Sequence, residues 1–260
     1  MTVAGRYRRG ACIAKGGSST VHRASDLTSG AEVALKSFHV HRAFDPALLP
    51  SLEEGRAIAS RVGPDVMVPI LDVGADDDGT PFVIMPLVAG ETLGARLERG
   101  AIGRGEALAV ARGLLRSVDA LHACGVTHGD LSPDNVLVRE DGTPLLIDHE
   151  GLGAIGSPRP ARATDGFGQR GGTREARDDH RALASIASVL VGAASEELDD
   201  ARIDRFVAAL REKRDDDVWS ALGWVRQAGS AVSPRRFAAL VACCVLAFLA
   251  FALLLSVAFR

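Results

Sequence analysis

The stretch His128-Gly129-Asp130-Leu131-Ser132-Pro133-Asp134-Asn135-Val136-Leu137-Val138, followed by Pro144-Leu145-Leu146-Ile147-Asp148, decides how this chain is read. Two short apolar strands flank a turn at Asp141-Gly142-Thr143, so Asp148 closes a hairpin and Asn135 stands at its entry. Asp130 falls in the loop just before. This placement brings a carboxylate, an amide and a second carboxylate to one cleft. Phosphoryl transfer asks for such a set: one carboxylate orients the attacking hydroxyl and accepts its proton, while hard oxygen ligands hold magnesium over the phosphates. Asp130 suits the first task, Asn135 and Asp148 the second. An isolated Asp in such a place is ordinarily a turn residue or loop cap; the ordered set carries the reading.

These residues resemble the catalytic loop and metal-binding strand end of the eukaryotic-like (Hanks-type) serine/threonine protein kinases of bacteria, which read H-R-D-L-K-P-x-N and D-F-G. The chain keeps the Asp, Pro and Asn of the first motif and the Asp of the second, and departs at Gly129, Ser132, His149 and Glu150. The resemblance implies an α+β, two-lobed fold: an antiparallel sheet plus one helix in the N-lobe, and a mainly helical C-lobe. It implies ATP and Mg2+ as cofactors, Asp130 and Lys36 as catalytic residues, and Asn135 and Asp148 as metal ligands.

Upstream, Ile13-Ala14-Lys15-Gly16-Gly17-Ser18-Ser19-Thr20-Val21 resembles the family's glycine-rich loop, with Ala14 and Ser19 where the first and third glycines would stand. Glycines let backbone N–H groups approach phosphate oxygens, and some positions favour φ > 0. A non-glycine residue held left-handed there costs about 1–2 kcal/mol, so a weakened or shifted loop is expected. Gly16 and Gly17 are the expected phosphate contacts, with Ile13 and Val21 covering the purine. Ala31-Glu32-Val33-Ala34-Leu35-Lys36 reads as a strand whose alternation puts Ala34 and Lys36 on one face, leaving room for adenine beside Ala34 and aiming Lys36 at the phosphates. Phe82 to Leu93 resembles the hinge, with Met85 behind adenine, the Pro86 carbonyl as acceptor and the Val88 N–H as donor. The family pairs the lysine with a helix glutamate. Glu53 and Glu54 are the candidates, Glu54 favoured, although Ser51 and Glu54 also fit a capping box that would engage Glu54 at its own helix terminus.

Of 260 residues, 24% are charged and 47% hydrophobic with a formal charge of −3, which points away from nucleic-acid binding. Residues 237–259 contain no charge, Gly or Pro, and as a helix they would span the roughly 30 Å core of a bilayer. A single-pass C-terminal transmembrane helix is expected, and Arg235 and Arg236 before it orient the kinase-like domain to the cytoplasm. The chain start shows no signal-peptide pattern. Cys12, Cys124, Cys243 and Cys244 have no metal-like spacing and suit a reducing compartment. The expected organisation is N-lobe and hinge over 1–88, a shortened C-lobe over 89–228, a juxtamembrane linker over 229–236 and the membrane helix over 237–259.

Beyond Asp148 the likeness thins. Residues 151–178, rich in Gly and Arg, read as a mobile loop lacking the A-P-E motif of the family's activation segment. Asp179, with Asp178 as alternative, resembles the helix Asp that ties down the catalytic loop, and only Ile203 to Glu212 and Val218 to Arg226 look helical thereafter. Leu108, Ala111, Leu115, Val118 and Leu121 recur at helical spacing, with Gly125 as the stop. Three readings follow: a membrane-tethered protein kinase acting on an unknown protein substrate, favoured by the N-lobe; a pseudokinase, suggested by Ala14, Ser19, Ser132, Glu150 and the absent A-P-E; and a small-molecule phosphotransferase of the aminoglycoside or choline kinase type. For the last, His128-Gly129-Asp130 and Asp148-His149-Glu150 resemble H-G-D and D-x-D/E motifs, with Glu150 a second carboxylate beside magnesium.

Overall fold

Strand β4 (Glu32–Phe38) is apolar on both faces, and the sheet built around it carries a buried cluster on each side. The computed structural model describes residues 2–39, 45–100, 102–158, 172–190 and 199–222, all in one unit over Met1–Gly223. Its larger sheet has the order β1-β2-β3-β4-β6-β5, every pairing antiparallel. The strands are β1 (Thr2–Val3), β2 (Tyr7–Lys15), β3 (Ser19–Asp26), β4 (Glu32–Phe38), β5 (Asp72–Ala75) and β6 (Pro81–Pro86). Val33 and Leu35 of β4 pack with Val3, Tyr7, Ala24, Phe82 and Ile84. Ala34 and Phe38, on the opposite face as the strand period requires, pack with Leu48, Leu52, Val68, Ile70, Val83 and Met85.

Leu48 and Leu52 belong to α1 (Leu48–Val62), the one described helix against this sheet. The capping box does not form. Ser51 lies inside the helix and its hydroxyl donates to the Leu48 carbonyl at 2.9 Å, because α1 starts three residues earlier, at Leu48. Pro50 is accommodated in the first turn, where a backbone N–H would have no intrahelical partner.

After the hinge the chain becomes helical: α2 (Leu93–Glu98), α3 (Arg104–Ala123), α4 (Ala176–Leu190), α5 (Asp200–Arg211) and α6 (Asp215–Ala221). The expected α3 stripe is buried throughout, and Gly125 ends the run at φ 74°, a conformation that favours glycine. Between the helices lie β7 (Gly90–Thr92), β9 (Val136–Arg139) and β10 (Pro144–Leu146) in one small sheet, and β8 (Val126–Thr127) paired with β11 (Gly153–Ala154). The hairpin β9–β10 forms as expected: Arg139 N–H donates to Thr143 O at 3.0 Å and Gly142 takes φ 82°.

The expected membrane helix at 237–259, the linker at 229–236, Cys243 and Cys244 lie outside the described residues. Among the described residues no helix is long and apolar enough to cross a membrane. The glycine- and arginine-rich stretch is described only at its ends, 151–158 and 172–178, which pair through a bridge between Pro158 and Thr173.

Candidate active site

The site is assembled from β4, the end of β6 and the two ends of the β9–β10 hairpin. Antiparallel register sets Ala34 opposite Met85 and Lys36 opposite Val83. Ala34 and Met85 belong to a buried cluster against which Val21, Leu87, Val88, Leu137 and Ile147 pack while remaining partly open. These side chains form an apolar shelf between the sheet and the hairpin, suited to a flat heterocycle. Leu137 and Ile147 join this shelf without having been singled out in the sequence; the alternation of the hairpin strands that flank Asn135 and Asp148 is the signal that points to them. Ile13 is 49% exposed and stands outside this cluster, so the structure brings Val21 to the shelf but not Ile13.

The glycine loop differs from expectation. Neither Gly16 nor Gly17 adopts positive φ, nor do Ala14 and Ser19, which sit at the strand ends of an ordinary hairpin. The expected left-handed strain is therefore absent. β2 and β3 pair with two register shifts, between Arg9 and Cys12 and between Cys12 and Ala14. The hairpin tip is braced from the end of β4, where the His39 ring contacts Gly17 O at 3.0 Å and Thr20 Oγ1 at 2.9 Å.

In the catalytic loop a 3₁₀ turn, Pro133–Asn135, swings Asn135 back beneath Asp130. Asn135 Nδ2 donates to the Asp130 carbonyl at 2.8 Å and lies 3.4 Å from Asp130 Oδ2, so the amide oxygen is the atom of this side chain that could serve a cation. The loop is hung from α4. Asp179, 1% exposed, accepts from His128 N at 2.9 Å, Gly129 N at 3.0 Å and the His122 ring at 2.9 Å. Asp179 is thus the tie. Asp178 instead accepts from Glu175 N at 2.8 Å, near the start of the helix. Burial works against the Asp179 charge, and the His122 and loop N–H bonds outweigh it and hold the carboxyl below its ordinary range. His128 adds a ring contact to Ile147 O at 3.2 Å, linking the loop to the strand that carries Asp148.

Asp148 adopts φ 69°, a left-handed conformation that Asp tolerates at some cost. Lys36 Nζ lies 2.9 Å from Asp148 Oδ1 and 3.1 Å from Glu150 Oε1. Burial opposes the charge on Asp148, and the adjacent ammonium overrides it, holding the carboxyl well below the usual range. Burial likewise opposes the charge on Lys36, and the two carboxylates keep it raised. The lysine partner is therefore not Glu54. Glu54 is exposed, Glu53 is exposed and 3.7 Å from Arg56, and it is Gly55 that is buried. His149, between the two carboxylates, is buried against α1, its ring bonded to Val68 O at 2.7 Å, and burial pushes its pKa down to about 4.

Two arginines of the segment after Asp148 are held by neighbouring groups. The Arg174 guanidinium bonds the Gly151 carbonyl and is buried, while Arg177 pairs with Asp200 at 3.1 Å and Asp204 at 3.4 Å. Ser132 itself is 1% exposed, and its Oγ has no hydrogen-bond partner among the described residues. The donor set fits a hard cation and phosphates: a carboxylate and an amide oxygen at the two ends of one hairpin, with an ammonium beside them.

The model of the protein kinase domain matches residues 7–165. Serine/threonine-protein kinase PknL of Mycobacterium tuberculosis is 38% identical over 145 residues, 55% of this chain and 36% of that protein. The DNA damage-responsive serine/threonine-protein kinase RqkA of Deinococcus radiodurans is 36% identical over 155 residues, 56% of this chain and 22% of that protein. The chain thus spans about a third or less of the length of these relatives. The crystal structure of the Mycobacterium tuberculosis PknI kinase domain superposes with a TM-score of 0.60 at 20% identity, covering 86% of this chain and 97% of that one, a likeness of fold. With the domain model matched over more than half of its length, the chain belongs to the protein kinase domain family.

Proposed function

We propose that the protein transfers the terminal phosphoryl group of ATP to serine or threonine hydroxyls of a protein substrate, with Mg2+. The observation that supports this best is that Lys36 meets Asp148 and Asn135 meets Asp130 at the two ends of the β9–β10 hairpin, joined by the bond from Ile147 N–H to Asn135 O at 3.0 Å, beside the apolar shelf. The purine would lie between Val21, Ala34, Met85, Leu137 and Ile147, reading the Pro86 carbonyl and the Val88 N–H. Magnesium held by Asp148 and Asn135 would neutralise charge on the phosphates. Lys36 orients the phosphates by its ammonium, and Asp130 orients the incoming hydroxyl and takes its proton. The buried Asp179 keeps the Asp130 backbone in place during that transfer. Tethering through 237–259, with the domain on the cytoplasmic side, belongs to the same proposal.

The test has two arms. Full-length protein should be stabilised by millimolar MgATP, by about 2.7 kcal/mol at 100 times the dissociation constant, and Asp130→Asn should preserve this shift while lowering phosphate transfer about 10²–10⁴-fold. Binding with equal background transfer by wild type and Asp130→Asn to protein, peptide and small alcohol or aminoglycoside acceptors would favour the pseudokinase reading. Absence of any MgATP shift would defeat the nucleotide-dependent readings together.

A further inference from the structure

The ammonium of Lys36 needs a partner that survives metal binding, and α1 does not provide one. Asp148, 2.9 Å from Nζ, is also the carboxylate proposed to take the magnesium ion, so its hold on the lysine is shared in the loaded state. In many arrangements a helix beside such a lysine could supply a second carboxylate. Here the helix position that meets the metal-side segment is Gly55: a Cβ built there would stand 2.8 Å from His149 Cβ and 3.2 Å from its carbonyl oxygen. No side chain fits at that point without displacing His149, and the two neighbouring glutamates are exposed.

Glu150 occupies the complementary place. Its Oε1 lies 3.1 Å from Lys36 Nζ, with the two side chains 16% and 13% exposed. Its own backbone N–H donates to Asp148 Oδ1 at 3.2 Å, so Glu150 both orients the metal-side carboxylate and holds the lysine. We infer that Glu150 is the positioning residue for Lys36, a role that resides in the segment after the metal ligand and not in α1. The inference rests on the phosphoryl-transfer reading of the site. It has a mechanical consequence: among the described residues Lys36 is held through the carboxylates of residues 148–150 and not through one of α1, which bears on that segment only by packing Gly55 against His149. The alternative role for the same carboxylate, a second magnesium ligand, makes a different prediction for metal dependence.

The experiment is nucleotide titration of full-length protein by calorimetry, with ATP in EDTA and again across a magnesium series. Wild type should bind in both. Glu150→Gln should weaken ATP binding about tenfold in both, the loss of one charge-assisted hydrogen bond, with the magnesium midpoint unchanged. In a Lys36→Met background the same substitution should have no further effect, since its action runs through the lysine. Glu54→Gln should match wild type. If Glu150→Gln melts too low to titrate, Glu150→Asp, shorter by one methylene, takes its place and should show an intermediate loss. Unchanged affinity of Glu150→Gln, additive losses in the double variant, or a loss confined to magnesium-containing samples with a raised magnesium midpoint would each overturn the inference while leaving the phosphoryl-transfer reading intact. Failure of wild type to bind ATP under either condition would instead bring down that reading, and the inference with it.

Discussion

Replacing Asp179 by Asn tests whether the catalytic loop is held from the helical part. The carboxylate receives three donors within 3.0 Å, the N–H groups of His128 and Gly129 and the His122 ring, and the residue is 1% exposed. An amide of the same shape keeps one oxygen and turns an NH2 toward the donors lost by the other. At least one buried N–H then faces a donor, at a cost of about 1–3 kcal/mol, and the remaining bonds lose their charge assistance, about 1 kcal/mol more. Relief of burying a charge offsets part of this. The expected net destabilisation is about 1–3 kcal/mol. At roughly 2–4 °C per kcal/mol for a domain of this size the melting temperature should drop by about 2–12 °C. Hydrogen exchange at His128 and Gly129 should accelerate, and transfer activity should fall because Asp130 follows directly. Asp178→Asn is the control: its carboxylate accepts from Glu175 N at 2.8 Å and lies 3.8 Å from Arg181, and loss of its charge should cost about 1 kcal/mol or less. The reasoning is refuted if Asp179→Asn melts within a degree of wild type with unchanged exchange at those two amides.

Gly129→Ala should destabilise by more than about 2 kcal/mol in denaturant titration, since the residue holds φ 77° and a Cβ there would strike the Arg174 guanidinium and the Gly151 carbonyl; a neutral result would mean that Arg174 does not occupy that space. Gly55→Ala gains about 1 kcal/mol of helix propensity but overlaps His149 Cβ, a cost of about 1–3 kcal/mol, so net stabilisation would contradict the packing at Gly55. Acidification should also destabilise the fold. Burial holds His149 at about 4 and, with His122 and Arg211 nearby, lowers His180; the unfolded chain takes up these protons first. Stability is therefore complete above the ordinary histidine pKa of about 6.5 and declines as pH falls below it, by about 2 kcal/mol at pH 5 from His149 alone. His149→Phe should flatten the melting profile between pH 7 and 5, and an unchanged profile would show that His149 is not neutral and buried in the folded protein.

Local pattern made much of the site readable. Strand alternation put Ala34 and Lys36 on one face, the Asp141-Gly142-Thr143 turn made the hairpin, and the helical stripe from Leu108 to Leu121 with Gly125 as its stop gave α3. These are short-range properties, governed by backbone periodicity and turn chemistry, and they survived folding unchanged. The misreadings came where two locally valid choices competed. Ser51 and Glu54 had cap spacing, but the apolar contacts of Leu48 and Leu52 with the sheet started the helix upstream. Ala14 and Ser19 suggested strain in a phosphate loop, but both lie at strand ends without positive φ.

What the sequence alone determined was the family of chemistry: Asp130, Asn135, Asp148 and Lys36 occur at spacings that follow from strands and turns within a few residues of each. Which groups meet across the cleft was decided only by tertiary structure. Lys36 is more than a hundred residues from Asp148 and Glu150 in the chain, and Asp179 reaches the loop from about fifty residues away. No local rule ranks Glu54 against Glu150, because packing alone decides which carboxylate reaches the lysine, and none separates Asp178 from Asp179, neighbours with the same chemistry. The helix turns Gly55, not Glu54, toward His149, and the left-handed Asp148 brings Glu150 back onto the lysine. A buried charge must find an opposite partner at close range, and only the packed arrangement of β4, α1 and the segment after β10 specifies which partner is there.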